Sequence, residues 1–234
     1  MQSEALSAKQ KKLKSWIILI TAVVAVLLLV LLGLRLRGWR QNGQDSRMTS
    51  LVNPWNGADN SGFTPHLSEF EEIRVDKSMT RDLGELLAAC RQAGYAPRLT
   101  AGYRSREEQQ ELFDETVRGL LSGGDMSESE ATELAALRVG APGTSEHELG
   151  LAVDFADDNG GEGLLQWLRD NAWHYGFILR YPEGSEEITG RAADPAHFRY
   201  VGPAAAEQIH AMDATLEEYL SFFYGDSAQI IFEE

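Results

Sequence analysis

Two short polar motifs set the condition that any fold of this chain must meet. Ser145-Glu-His-Glu-Leu-Gly-Leu-Ala-Val-Asp154 presents a histidine and an aspartate, and Asp194-Pro-Ala-His197 supplies a second histidine far downstream. Two imidazoles and a carboxylate, each on a tightly built backbone, suit a divalent metal that activates water. Residues 151–155 read as a strand, so His147 sits in the loop entering it and Asp154 points from it, with Gly150 letting the backbone turn closely. His197 opens onto another strand candidate, residues 198–201. The fold must therefore bring together two strands remote in sequence. Taken singly these residues say little, since a lone histidine is usually a surface or hydrogen-bonded residue and an aspartate can simply end a strand. The spacing is not H-E-x-x-H, in which two histidines share one helical face: Glu148 follows His147, but no metal-compatible residue follows in register.

The surrounding pattern is mixed. Residues 79–93 place Leu83, Leu86, Leu87 and Cys90 at helical spacing with Gly94 beyond, which puts Cys90 in the core. Residues 97–103 read as a strand, and Ser105-Arg-Glu-Glu108 is a capping box opening a helix that buries Leu112, Phe113 and Val117. Ser127-Glu-Ser-Glu130 repeats that signal before residues 131–139. A helix over 164–175 stops at Gly176, followed by a strand over 177–180 and a hairpin or loop over 178–190. Pro203 starts a helix whose apolar face is Ile209, Met212, Leu216 and Leu220, and residues 228–232 suit a last edge strand. Strands and helices do not alternate strictly, which predicts an α+β fold with a central, mostly antiparallel sheet flanked by helices.

Ahead of that domain lies a different kind of sequence. Residues 16–34 carry no charge, and these 19 residues would span roughly 28 Å as a helix, close to a bilayer's hydrocarbon thickness. The length, and the arginines at 35, 37 and 40 in place of a small-residue cleavage site, favour an uncleaved transmembrane signal anchor. Four lysines before it and four arginines after it leave the positive-inside tally level. The layout expected is a cytoplasmic tail over 1–15, the span over 16–34, a juxtamembrane linker over 35–62, rich in Gly, Asn, Gln and Ser, and a domain over 63–234. Residues 1–47 carry a balance of +6, which leaves −21 on the remainder. So acidic a domain is a poor match for nucleic acid, whose phosphates demand a basic face. Cys90 is the only cysteine, so there is no internal disulfide, and histidine and carboxylate are the available metal ligands.

The two motifs, S-x-H-x2-G-x-A-x-D and the downstream His197-Phe-Arg-Tyr-Val-Gly202, resemble those of the zinc D,D-carboxypeptidases of the VanY type; Leu51-Val-Asn-Pro54 and Ala101-Gly-Tyr-Arg-Ser-Arg-Glu-Glu-Gln109 resemble further elements of that family. The resemblance implies Zn2+ held by His147, Asp154 and His197, and Arg104 as the group that stabilises the oxyanion. It implies Ser145, Gln109 and Tyr103 as substrate contacts, with Arg180 and Tyr181 beside them. Where the family carries E-P-W-H, this chain has Asp194-Pro-Ala-His197. Asp194 would be the base, with a carboxylate about one methylene shorter in reach, and Ala196 lacks the bulky ring; a misplacement of about 1 Å can cost on the order of a hundredfold in rate. Glu187 is the alternative base. The implied function is a membrane-anchored D,D-carboxypeptidase, its domain outside the membrane, that frees the terminal D-alanine of peptidoglycan stem peptides. The alternatives are an L,D-carboxypeptidase or endopeptidase on the same scaffold, or a weakened cell-wall-binding module.

Overall fold

The computed structural model describes residues 47–160 and 163–225, together with Trp16 and Thr21. The expected span over 16–34, apart from those two residues, and the edge strand over 228–232 lie outside the described residues. Among the described residues no helix is long and apolar enough to cross a membrane. The chain divides into units of residues 1–42 and 43–234, and every strand among the described residues belongs to the second.

A hairpin of β1 (Leu67–Phe70) and β2 (Ile73–Asp76) comes first. The sequence pattern assigns this stretch no element, because an alternation only four residues long is weak. Next, α1 (Thr80–Gln92) buries Leu83, Leu86, Leu87 and Cys90 as its spacing predicts. Burial pushes the Cys90 thiol up to about 12, so it is a core residue and not a nucleophile. After β3 (Pro97–Ala101), α2 (Arg106–Leu121) and α3 (Glu128–Arg138) both open on the capping boxes read at Ser105 and Ser127. Then come β4 (Ala152–Asp157) and α4 (Gly163–Asn171), which tightens into a 3-10 turn over Ala172–Tyr175 and ends at left-handed Gly176. The order continues with β5 (Phe177–Tyr181), a short α5 (Glu186–Thr189), β6 (Asp194–Tyr200), α6 (Pro203–Met212) and α7 (Leu216–Tyr224).

The central sheet has the order β3-β4-β6-β5 with every neighbouring pair antiparallel, as the sequence predicts. Successive side chains on a strand point to opposite faces. Val153 and Phe155 of β4, Phe198 and Tyr200 of β6, and Phe177 of β5 join one buried core with α1 and α4. The intervening Asp154, His197 and Arg199 therefore lie on the other face. A second core gathers Ile178 and Val201 with Ile209, Leu216 and Tyr219 of the last two helices.

Three expectations change. The C-terminal helix is two helices, because Asp213 turns left-handed (φ +50°) and Thr215 starts α7 with a capping box of its own. Helix α2 leaves Leu112, Phe113 and Val117 half-buried and buries Gln109, since it packs chiefly on α3 at the margin of the sheet and not on the central core. The expected linker ends early. From residue 47 the chain is folded onto the domain: Val52 and Asn53 are fully buried, and Arg199 Nη2 donates to the carbonyls of Met48 and Ser50, each at 2.8 Å. The Asn and Gly that read as linker composition serve turns here, with Asn53 Oδ1 accepting from the amides of Trp55 and Asn56.

Phe198 is fully buried edge-to-face against Phe155, so Phe198→Ala is expected to cost about 3–5 kcal/mol in chemical denaturation. Ser127→Ala removes only an exposed helix cap and is expected to cost about 1 kcal/mol in the same experiment.

Candidate active site

The register of the sheet builds two thirds of the site. Asp154 on β4 is paired directly with His197 on β6, and such cross-strand partners hold their Cβ atoms about 4.5–5.5 Å apart. His147 comes from the 3-10 turn Glu146–Leu149 that leads into β4. Gly150 closes that turn at φ +68°, its N–H donating to His147 O at 3.0 Å, and a Cβ there would stand 3.1 Å from the amide of Asp76. One ligand atom each from His147, Asp154 and His197 lie within 4.8 Å of one another. Asp154 Oδ1 is 2.9 Å from His197 Nδ1 and 3.4 Å from His147 Nε2.

The ring of His147 is aimed by its backbone neighbours. Its Nδ1–H donates to Gly102 O at 2.6 Å, which leaves the Nε2 lone pair facing Asp154, buried and without a hydrogen-bond partner among the described residues. Gly102 can bring its carbonyl there only because it has no side chain: a Cβ would collide with the Arg74 carbonyl and lie 2.8 Å from Ile73 Cδ1. An imidazole nitrogen left bare in a buried place, beside a carboxylate and a second imidazole, is the donor set that a tetrahedral zinc site uses.

Behind His197 lies a carboxylate that sequence reading missed. Glu146 is 1% exposed; its Oε1 accepts from Arg180 Nε at 2.8 Å and from Arg199 Nη1 at 2.7 Å, and its Oε2 is 3.5 Å from His197 Nε2. Arg180 is in turn gripped by both oxygens of Glu217, at 2.9 and 2.6 Å. Burial opposes ionisation of Glu146, but the two arginines outweigh it and hold the carboxyl well below its usual range. Asp154 is likewise held down, burial being overcome by the two histidines. His147 is pushed down by burial, toward the neutral form that ligates metals. His197 goes the other way: burial disfavours its cation, yet the bonds to Asp154 and Glu146 prevail and raise it to about 9.

A cleft of about 180 Å3 opens over these groups, and Arg104, Ser145, Tyr181 and Asp194 line it with the two histidines and Asp154. Arg104 lies at the junction of β3 and α2; its buried Nε has no hydrogen-bond partner among the described residues, and burial lowers its pKa while it remains a cation. Ser145 precedes the 3-10 turn without capping it. Asp194 opens β6, its Oδ1 accepting from Ala196 N at 2.9 Å. The Tyr181 ring packs on His197 with centroids 4.9 Å apart. Arg191 also reaches the cleft, but its guanidinium is bound to the carbonyls of Ala136 and Thr144.

Three candidates do not join them. Gln109 is fully buried, and its amide donates to Val139 O at 2.7 Å and Gly140 O at 2.8 Å, tying α2 to the end of α3. Tyr103 lines a separate hollow with Phe63 and Arg106, and its ring carries the guanidinium of Arg74. Glu187 is exposed on α5 and is absent from the cleft lining. A motif written along the chain does not say toward which side a helix or loop residue turns, and here the neighbours decide. Glu146 had one legible signal, its place between the ligand His147 and the motif serine.

The model of the VanY D-alanyl-D-alanine carboxypeptidase family matches residues 72–203. The chain belongs to the VanY family. An Enterococcus faecalis D-alanyl-D-alanine carboxypeptidase is 42% identical over 151 residues, 63% of this chain and 56% of that protein, so the chain spans about half of this relative's length. Among solved structures, a vancomycin-resistance D,D-pentapeptidase VanY from a VanB-type cassette, in complex with Zn(II), superposes with a TM-score of 0.71 at 38% identity, covering 74% of this chain and 99% of that one. A second VanYB structure, with the same score and identity, is in complex with D-alanine-D-alanine and is covered to 97%. The LD-carboxypeptidase LdcB is 36% identical at a TM-score of 0.55, over 68% of this chain and 75% of its own. The matched segment contains every member of the VanY-like cleft, from Arg104 to His197.

Gly102→Ala is expected to lower stability by about 1–3 kcal/mol and to weaken zinc uptake by turning His147, read by thermal melting and metal titration. Because His197 holds its proton up to about pH 9, zinc must displace that proton. Apparent zinc affinity should therefore fall about tenfold per pH unit below 9, measured by competition titration.

Proposed function

We propose that this chain is a zinc-dependent D,D-carboxypeptidase that removes the terminal D-alanine from peptidoglycan stem peptides. The observation that carries this reading is the convergence of His147, Asp154 and His197 in one cleft with the Asp194 carboxylate and with Arg104, whose buried Nε has no hydrogen-bond partner among the described residues. Zinc held by the first three would supply Lewis acidity and lower the pKa of a water within reach. Asp194 takes the proton of the attacking water and hands it to the leaving amine. Arg104 donates to the scissile carbonyl oxygen, where negative charge develops in a buried place that strengthens the bond. Ser145, its side chain not engaged in a helix cap, is the polar contact for the peptide backbone, and Tyr181 closes the wall beside His197. The small cleft favours the end of a peptide over its middle.

The likeness to the LD-carboxypeptidase LdcB supports a second reading, the same chemistry on an L,D bond. A third, a weakened wall-binding module, is supported by the shorter Asp194 and by Ala196 in place of the family's ring. Residues 16–34 would anchor the chain as a single-pass span, with residues 1–15 on the cytoplasmic side and the domain facing the wall, where its substrate lies.

Mass spectrometry of defined stem peptides incubated with the full-length protein tests these readings together. The expected outcome is loss of one D-alanine from pentapeptides, abolished by a chelator and restored by zinc. Shortening of tetrapeptides instead would favour the L,D reading, and intact peptides throughout would favour the module. Asp194→Asn is expected to lower kcat by about 10²–10⁴-fold while zinc content stays unchanged.

A further inference from the structure

We propose that Glu146 is a positioning residue for the metal centre: it accepts a hydrogen bond from the Nε2–H of His197, so that Nδ1 is the nitrogen offered beside Asp154. The inference rests on the zinc reading of the site. The two nitrogens of His197 face two different carboxylates, Nδ1 at 2.9 Å from Asp154 Oδ1 and Nε2 at 3.5 Å from Glu146 Oε2. Only the Nδ1 edge converges with His147, whose Nε2 approaches the same Asp154 oxygen at 3.4 Å. An imidazole that ligates through one nitrogen needs an acceptor for the N–H on the other, and that acceptor sets both tautomer and ring orientation.

Glu146 is placed to be that acceptor and little else. Its Oε1 is already shared by Arg180 and Arg199, while Oε2 and His197 Nε2 are both buried, both without a hydrogen-bond partner among the described residues, and facing one another. At 3.5 Å the pair stands just beyond a good hydrogen bond, so a small rotation of the ring would complete it. The carboxylate cannot swing away. Arg180 is held bidentate by Glu217 of α7, and Arg199 by the carbonyls of Met48 and Ser50. The frame that orients one metal ligand thus reaches to the last helix and to the segment that leads into the domain. His147 has the same device in another form, its Nδ1–H being taken by Gly102 O.

Zinc titration of the full-length wild type and of E146Q, combined with proton–nitrogen correlation NMR of the histidine rings, tests this. In the zinc-loaded wild type, His197 should be metallated at Nδ1 and protonated at Nε2. E146Q should bind zinc about 10–100-fold more weakly and lose the single tautomer, and Glu217→Gln, which frees Arg180, should weaken binding in the same direction but less. Zinc bound through Nε2 of His197 in the wild type overturns the proposal, whether or not E146Q folds. So does an E146Q protein with unchanged tautomer and zinc affinity within twofold of wild type. If the wild type takes up no zinc, the zinc reading falls and this inference with it, whereas tight zinc in both proteins removes the role of Glu146 alone.

Discussion

The antiparallel pairing of β4 with β6 is the constraint on which the rest of the molecule depends. In one register it sets Val153 against Phe198 inside the core and Asp154 against His197 on the opposite face. A slip by one residue would send the phenylalanine to the cleft and the ligands into the core, which burial of apolar surface forbids. The geometry of the site is therefore held by hydrophobic packing on the far side of the sheet. Neither ligand needs to attract the other for the two to stay together.

Next in importance is the charge buried behind the ligands. Arg180, Arg199, Glu146 and Glu217 are two cations and two anions with almost no access to water. Removing such groups from water costs several kcal/mol per ion, so a buried cluster of this kind is weak evidence for stability. Its members are nearly all matched: the two arginines find six acceptor oxygens, those of Glu146 Oε1, both Glu217 oxygens and the carbonyls of Met48, Ser50 and Tyr200, and one oxygen, Glu146 Oε2, is left facing the site. A network complete except where it meets a metal ligand is better understood as a mount for that ligand than as mortar for the fold.

The departures of this chain from its family fall beside that mount and not within it. Asp194 stands where VanY proteins carry a longer carboxylate, yet it lines the same cleft as the three ligands and is tied by one oxygen to the amide of Ala196. The turn at the start of β6 thus fixes a short side chain at the rim instead of leaving it to rotate. Arg104, a cation lining the same cleft as the carboxylates and histidines, keeps a buried Nε without a hydrogen-bond partner among the described residues.

What could be known from the residues alone was what depends on near neighbours along the chain. The capping boxes at Ser105 and Ser127, the apolar stripe of α1, the stop at Gly176 and the spacing of the two metal motifs are all local, and each is where the sequence puts it. What only the tertiary structure decided was which polar side chains turn inward and what they meet there. Gln109 and Tyr103 sit in a motif that touches the site, yet one clamps α3 and the other carries Arg74. Glu146, unremarked in the chain, lies at the centre because strands β5 and β6 bring Arg180 and Arg199 to it. Residues 47–62, which read as linker, are folded because Arg199 and Glu217 wait for them from far downstream. A buried polar group is defined by partners that satisfy it, and those partners come from distant parts of the chain that only folding brings into reach.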